Sequence, residues 1–248
     1  MKKFIFSILF IVCVAILPKS QIIETNNLED ILGHVTKNSV VLFDLDNTLV
    51  QPKNTYVGSD PWFTELFKKE KDVNLALADY CLGLILVELQ PVANNTIKVL
   101  NKIKKSGVPT IGFTARNFYI SSITIEYLKD IGITFNGPGI PKHKFVYYSH
   151  KDHPSIYQDG IFFCGPNEKE AVVPFFIKEF PQKPNKIVFV DDKLKNLETV
   201  KKIVDKMGLD FVGFRYGACD EYTKKFDSKK TTKEFERLKK NRRKKLKR

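Results

Sequence analysis

The chain has 248 residues, of which 43% are hydrophobic and 28% charged, and its formal net charge is +13. This length suits one domain, or one domain with an insertion, and the composition excludes an intrinsically disordered chain. The charge is uneven, because residues 223–248 hold fourteen Lys or Arg against three acidic residues, whereas residues 21–222 are close to neutral. The basicity therefore belongs to a C-terminal tail and not to the folded body.

The first twenty residues differ from the rest of the chain. Lys2 and Lys3 precede an apolar run over residues 4–17, which only Ser7 interrupts and Pro18 ends. A run this short predicts a secretory signal peptide over residues 1–20 and an extracytoplasmic location, periplasmic or secreted. No small-x-small cleavage pattern precedes Gln21, so an uncleaved N-terminal membrane anchor stays open as the alternative.

Three cysteines, Cys81, Cys164 and Cys219, follow this segment. Their odd number and wide spacing exclude a disulfide framework and a zinc site. One disulfide bond and one free cysteine are the alternative that stays open, because the sequence does not indicate which cysteines would pair.

The first predicted elements are a short helix over residues 28–35 and a buried strand that ends at Asp44. The stretch after it, about residues 51–91, begins with polar and proline-containing sequence and continues in two helical patterns. About forty residues are too many for a simple connection, so we expect a small helical cap insertion here.

The rest of the chain alternates between predicted helices and strands. Helices are expected over residues 96–105, 119–128, 167–180 and 194–207, and strands over residues 108–113, 145–148, 160–164, 186–190 and 210–214. This alternation predicts an α/β fold in which a parallel sheet carries helices on both faces. The strand ends at Asp44, Thr114 and Asp191 then share one edge of the sheet.

The motif Asp44-Leu45-Asp46-Asn47-Thr48 directly follows the first buried strand. Residues i and i+2 leave a strand on the same side, so both carboxylates can converge beyond its end, where open α/β sheets bind ligands. Close carboxylates repel each other unless a cation lies between them. Taken alone the motif is equally typical of a turn; with the other strand ends it predicts a metal-dependent site in which one Asp is a nucleophile.

Over about residues 38–215, the order of motifs resembles the haloacid dehalogenase (HAD) superfamily of phosphohydrolases. The matching motifs are Asp44–Thr48, Thr114, Lys169 and the pair Asp191-Asp192. The resemblance implies a HAD-like (Rossmannoid) domain over residues 21–222 with the cap inserted at 51–91. The form of the Thr114-Ala115-Arg116 segment, with Trp62 in the insertion, is similar to an uncharacterised branch found in exported bacterial proteins.

The resemblance also implies catalytic roles. Asp44 attacks phosphorus and forms an aspartyl-phosphate, and Asp46 protonates the leaving oxygen and then activates water. Thr114 donates a hydrogen bond to a phosphoryl oxygen, and Lys169 neutralises the charge on nucleophile and phosphoryl group. Lys169 fits best by position, although Lys183 and Lys186 stay open as alternatives.

The implied cofactor is Mg²⁺, which prefers oxygen ligands. The expected ligands are the Asp44 and Asp192 carboxylates and the Asp46 backbone carbonyl, with Asp191 as a further or supporting ligand. Thr114, Ala115 and Arg116 are the predicted substrate-binding segment. Arg116 either reaches a substrate anion or is an ordinary surface arginine.

The function implied by the resemblance is an exported, Mg²⁺-dependent phosphatase that hydrolyses a small phosphomonoester through an aspartyl-phosphate. Two alternatives stay open: a phosphotransferase, and a catalytically idle HAD-like scaffold that binds a polyanion or an envelope component. The basic tail is either a solvated extension or a contact for an anionic membrane or envelope polymer. Nucleic acid is an expected partner only for a protein that stays inside the cell.

Overall fold

A computed structural model describes residues 19–150 and 153–246. The predicted signal peptide therefore lies outside the described residues, except for Lys19 and Ser20. The strands are β1 Ser20–Thr25, β2 Ser39–Phe43, β3 Val50–Pro52, β4 Leu89–Pro91, β5 Thr110–Thr114, β6 Phe145–His150, β7 His153–Gln158, β8 Ile161–Phe163, β9 Lys186–Asp191 and β10 Asp210–Tyr216. The α-helices are α1 Asp60–Lys69, α2 Val73–Leu86, α3 Thr96–Lys105, α4 Ser121–Asp130, α5 Lys169–Phe176, α6 Leu194–Lys206, α7 Asp220–Lys224 and α8 Ser228–Leu246.

Eight strands form one sheet in the order β1-β10-β9-β2-β5-β8-β7-β6, and β3 pairs with β4 in a separate ribbon. The neighbours from β1 to β8 run parallel, whereas β7 and β6 add an antiparallel edge. The predicted α/β fold, a mainly parallel sheet flanked by helices, is confirmed. Strand β2 lies between β9 and β5, so the residue that follows it is near the middle of the carboxyl edge of the sheet.

Strand β2 shows why the sheet is covered on both faces. All five of its residues are buried. Val41 and Phe43 pack in one core cluster, while Val40 and Leu42 pack in the other. Successive side chains of a strand point to opposite faces, so a continuous apolar run is stable only where helices cover both faces.

Some elements differ from the sequence-based expectation. The first predicted helix is a 3₁₀ helix, Leu28–His34. The helix expected over residues 167–180 is α5 followed by a 3₁₀ turn at Ile177–Glu179, and Pro174 lies inside its last turn. Proline removes a helical hydrogen bond and crowds the preceding turn, which accounts for the change of helix type. Strands β1, β3, β4 and β7 were not predicted, because these short segments lack a long apolar run.

The segment 51–91 contains the ribbon strand β4 and helices α1 and α2, as the prediction of a helical insertion implies. Trp62 of α1 is 1% exposed. Its ring lies so close to Gly83 of α2 that a Cβ there would meet Trp62 Cζ3 at 2.4 Å. A residue without a side chain at position 83 therefore allows the two helices to approach each other.

The C-terminal tail is packed onto this insertion. Phe235 of α8 is 3% exposed, and its ring centroid lies 4.9 Å from that of Trp62. The Tyr56 and Tyr222 rings stack at 4.4 Å, which holds α7 against the same region. The tail is thus a docked helix and not only a solvated extension. Among the described residues, no helix combines the length and apolar character that crossing a membrane requires.

Candidate active site

Three neighbouring strands end in polar residues at one edge of the sheet. Asp44 directly follows β2, Thr114 is the last residue of β5, and Asp191 is the last residue of β9. The Asp44 N–H donates to the Val190 carbonyl at 2.9 Å, which places Asp44 beside Asp191. The parallel register therefore brings these three predicted site residues together, as expected for carboxyl strand ends.

A tight turn follows Asp44. Asn47 has a φ of 59°, its N–H donates to the Val50 carbonyl at 2.9 Å, and the Val50 N–H donates to the Leu45 carbonyl at 2.9 Å. Asparagine tolerates this left-handed conformation better than most residues. The Asn47 Nδ2 also donates to Asp192 Oδ2 at 3.2 Å. The turn thus links the first motif to the fourth.

Lys169 lies between two of the carboxylates. It is the first residue of α5, and its Nζ donates to Asp44 Oδ1 at 2.6 Å and to Asp191 Oδ2 at 2.7 Å. Burial lowers the pKa of Lys169, but the two carboxylates raise it further, so it lies above its ordinary value and the ammonium stays charged. Lys186 instead donates to the His34 carbonyl, and Lys183 is exposed. Of the three candidate lysines, the fold brings Lys169 to the strand ends.

Asp44, Asp191 and Asp192 form a compact acidic group, in which one ligand atom of each lies within 4.8 Å of the others. Burial, opposed by Lys169 and reinforced by Asp191, raises the pKa of Asp44 to about 7. Burial and the charges of Asp44 and Asp191 raise the pKa of Asp192 to about 8. When all three carboxylates are deprotonated, the single Lys169 ammonium leaves two negative charges in excess. This donor set fits a hard divalent cation such as Mg²⁺.

The two neighbouring aspartates differ in their hydrogen bonds. Asn196 Nδ2 donates to Asp191 Oδ1 and Oδ2 at 3.0 Å each, and the Lys193 N–H donates to Asp191 Oδ1 at 2.8 Å. With Lys169, these donors occupy most of the Asp191 lone pairs. From the described residues, the Asp192 carboxylate accepts one hydrogen bond, donated by Asn47, and keeps more of its acceptor capacity. The geometry favours Asp192, with Asp44, as a cation ligand, and Asp191 as the group that orients Lys169.

Arg116 is paired with Asp46. Its Nε donates to Asp46 Oδ2 at 2.9 Å, its Nη2 to Asp46 Oδ1 at 2.8 Å, and its Nη1 to Thr124 Oγ1 at 3.1 Å. Burial lowers the pKa of Arg116, but Asp46 raises it above its ordinary value. The guanidinium is therefore turned toward Asp46, and a direct contact with a substrate anion stays a prediction. The backbone carbonyl of Asp46 takes no part in this pair, and its contact with a metal stays a prediction.

Thr114 and Ala115, the other residues of the predicted substrate segment, directly precede Arg116 in the chain. Thr114 is 1% exposed, and its Oγ1 accepts a hydrogen bond from the Arg116 N–H at 3.1 Å, whereas Ala115 is exposed. The roles of Thr114 and Ala115 in binding a phosphoryl group stay predictions.

The insertion also contacts the site. Asp60, at the start of α1, forms an ion pair with Lys193, which follows Asp192 in the chain. Sequence reasoning missed this pair and the contact of Arg116 with Asp46. Lys193 and Arg116 stand directly beside predicted motifs, which indicates that they lie near the site. Their position in the sequence does not identify the distant residues with which they pair.

The raised pKa values predict how metal-free stability depends on pH. Asp44 and Asp192 have folded-state pKa values of about 7 and about 8, above the ordinary value of 3.8. The folded protein then binds more protons than the unfolded chain, so its stability falls as the pH rises from about 4 to about 8. We expect the urea midpoint in EDTA to fall across this window and Mg²⁺ to reduce the fall. A midpoint independent of both pH and Mg²⁺ would contradict the prediction.

Comparisons with known proteins give a family and several relatives. A family profile described as "Protein of unknown function (DUF2608)" matches residues 24–246. An uncharacterized protein of Rickettsia prowazekii is 25% identical over 235 residues, covering 86% of this chain and 84% of its own. A Chlamydia pneumoniae protein named "Putative outer membrane protein" is 20% identical over 261 residues, covering 97% of this chain and 94% of its own.

Two solved structures show a weaker likeness. The Class C acid phosphatase from Bacillus anthracis has a TM-score of 0.39 at 18% identity, covering 86% of this chain and 83% of its own. A phosphoserine phosphatase in apo form has a TM-score of 0.37 at 12% identity, covering 76% of this chain and 98% of its own.

Proposed function

The chain belongs to the DUF2608 family, and we propose that it is an exported, Mg²⁺-dependent phosphatase that hydrolyses small phosphomonoesters through an aspartyl-phosphate. One observation carries the proposal: the buried Lys169 ammonium joins Asp44 to Asp191 beside Asp192, at adjacent strand ends. This arrangement holds a nucleophilic carboxylate, a fixed positive charge and an acidic cation site within a few ångströms. Phosphoryl transfer needs little more than such positioning and charge stabilisation.

In the first step, an Asp44 oxygen forms a bond to phosphorus while the bond from phosphorus to the leaving oxygen breaks. The proton for the leaving oxygen comes from the Asp46 carboxyl group. In the second step, water attacks phosphorus, its proton passes to Asp46, and the bond to Asp44 breaks to release inorganic phosphate. Lys169 stabilises the charge of the Asp44 carboxylate and of the phosphoryl oxygens in both steps.

The pairing of Asp46 with Arg116 positions the acid of this scheme. Each Asp46 oxygen accepts one hydrogen bond from Arg116. Each oxygen of a carboxylate has two lone pairs, so a site for the exchanged proton remains beside this pair. Thr124, which accepts from Arg116 Nη1 at 3.1 Å, holds the guanidinium in place.

Asp44, Asp192 and the Asp46 backbone carbonyl would hold Mg²⁺. When bound, the cation supplies neutralisation of phosphoryl charge and fixes the orientation of the phosphate. The chain contributes the ligands and their orientation, since Asn47 holds Asp192 and Asn196 holds Asp191.

Two further features support a small substrate and export from the cytoplasm. Helix α1 of the insertion reaches the site through the ion pair of Asp60 with Lys193, next to Asp192, and a helical cap of this modest size favours a small substrate. The apolar run over residues 4–17 supports export, and relatives named as outer membrane proteins agree with an extracytoplasmic location.

The test is hydrolysis of p-nitrophenyl phosphate by the chain from Lys19 onward, with Mg²⁺ and with EDTA. We expect release of phosphate with Mg²⁺ and its loss in EDTA, restored by added Mg²⁺. Equal activity under both conditions would contradict the metal site. Added alcohols distinguish hydrolysis from transfer, because a phosphotransferase would convert them to phosphate esters at the expense of inorganic phosphate.

A further inference from the structure

Helix α8 presents a cationic face to solvent. Its packed side is anchored by Thr231 and Phe235, which are 2% and 3% exposed, and by the partly buried Leu238. The remaining side carries mostly cations, and the exposed ones are Lys229, Lys230, Lys233, Arg237, Lys240 and Arg243. The anchored residues recur at helical spacing, so the packing fixes which side of α8 faces outward.

Few carboxylates neutralise this face. Arg237 Nη2 lies 3.6 Å from Glu234 Oε1 within α8. Lys230 Nζ lies 3.9 Å from Oδ2 of Asp227, the residue directly before α8. In the part of the chain that the structure describes, no carboxylate lies within ion-pair distance of the other four exposed cations of this face. Solvent-exposed Lys and Arg that lack local partners attract an anionic surface more strongly than paired ones.

Helix α2 lies beside α8 and exposes apolar side chains. Val73 and Leu75, at its start, are 61% and 57% exposed, and Ile85, near its end, is 44% exposed. The start of α8 is tied to the end of α1, because Lys69 Nζ donates to Ser228 Oγ at 2.6 Å. Val73 begins α2 only four residues after Lys69, so the start of α2 adjoins the start of α8.

The two helices also share an apolar cluster. Tyr80 and Leu84 of α2 are buried together with Phe235 of α8, and Leu238 packs against the same cluster. Helices α2 and α8 therefore pack against each other, with exposed apolar residues on one and cations on the other. An apolar helix is ordinarily covered in a soluble protein, and basic residues next to exposed apolar ones are typical of membrane-surface binding.

We propose that the α2–α8 surface, defined by the exposed residues of these two helices, binds the surface of an anionic phospholipid bilayer. The α8 cations contact lipid phosphates, and Leu75 and Ile85, which share the exposed side of α2, enter the interface between headgroups and acyl chains. The exposed apolar residues favour a bilayer over nucleic acid, because phosphate contacts alone do not require them. This binding is independent of the chemistry proposed for the strand ends.

The test is sedimentation of the full-length chain with vesicles of phosphatidylglycerol and phosphatidylcholine, compared with phosphatidylcholine alone. The variant Lys233→Glu/Arg237→Glu/Lys240→Glu reverses three cations of the surface. The control Lys105→Glu/Lys202→Glu/Lys206→Glu changes the net charge equally at exposed positions of α3 and α6. All three proteins retain residues 1–18, so any binding by that segment is common to them.

We expect the surface variant to bind anionic vesicles at least about 10-fold more weakly than the control, and binding to weaken at about 0.5 M salt. Leu75→Ser/Ile85→Ser should weaken vesicle binding but leave binding to heparin unchanged. Equal loss in the surface and control variants would overturn the proposal. Tighter binding to duplex DNA than to anionic vesicles at physiological salt would also overturn it, in favour of a nucleic-acid surface. Circular-dichroism melting checks that each variant folds.

Discussion

Replacement of Asp44 by asparagine is expected to lower the turnover of p-nitrophenyl phosphate by at least about 10³-fold. Asparagine has almost the same shape as aspartate, but its amide is not a nucleophile and cannot form the aspartyl-phosphate. Its oxygen can still accept the hydrogen bond that Lys169 Nζ donates to Asp44 Oδ1 at 2.6 Å. The measurement is the steady-state rate with saturating Mg²⁺.

The Asp44→Asn substitution is also expected to affect stability. Asp44 is a buried carboxylate close to Asp191 and Asp192, and burial raises its pKa to about 7. Removal of one of three like charges should leave the melting temperature in EDTA at about pH 8 unchanged or higher. A folded variant with wild-type turnover would exclude Asp44 as the nucleophile. An unfolded variant would mean that the ion pair of Asp44 with Lys169 contributes more to stability than the repulsion among the three carboxylates removes.

Replacement of Lys169 by methionine is expected to lower turnover by about 10² to 10³-fold and to destabilise the protein by about 3 kcal/mol at pH 8 in EDTA. Methionine keeps much of the side-chain volume but removes the ammonium that joins Asp44 to Asp191 at 2.6 and 2.7 Å. The two carboxylates are then left in a buried site without a cation. The measurements are the hydrolysis rate and urea unfolding.

The loss of stability should depend on pH in a defined direction. Lys169 lowers the pKa of Asp44, so its removal raises that pKa further above about 7. The folded variant then takes up protons as the pH falls, and the stability deficit relative to wild type should shrink at about pH 5. Lys186→Met is the matched control, because Lys186 donates to the His34 carbonyl and is distant from the strand-end carboxylates. Equal effects of both substitutions would falsify the assigned role of Lys169.

The apolar pattern of the sequence predicts much of this fold. The run that ends at Phe43 predicts a strand buried on both faces, and the alternation of helices and strands predicts the parallel sheet. Because parallel strands end at a shared edge, the predicted strands alone indicate that Asp44, Thr114 and Asp191 lie close together. Strand β1 escaped prediction, because Ser20–Thr25 becomes a strand only by pairing with β10.

Residues of the site that depend on distant partners were harder to predict. Lys169 could be placed by its position at a helix start, but its contacts with Asp44 and Asp191 are visible only in the folded chain. The sequence left Arg116 equally open to a substrate contact and to the surface, and the structure pairs it with Asp46. A side chain as long as that of arginine reaches many partners, so its direction is set by packing and not by local sequence.

The sequence by itself determined the parallel core of the sheet, its carboxyl edge and the acidic residues at that edge, because these follow from hydrophobic periodicity and from the geometry of parallel strands. Only the tertiary structure decided how those acids are shared among Lys169, Asn196 and Arg116. It also decided that the basic tail is a helix docked through Phe235 onto the inserted helices. The physical reason is that ion pairs and helix packing depend on distances between residues far apart in the chain, whereas periodicity records only near neighbours.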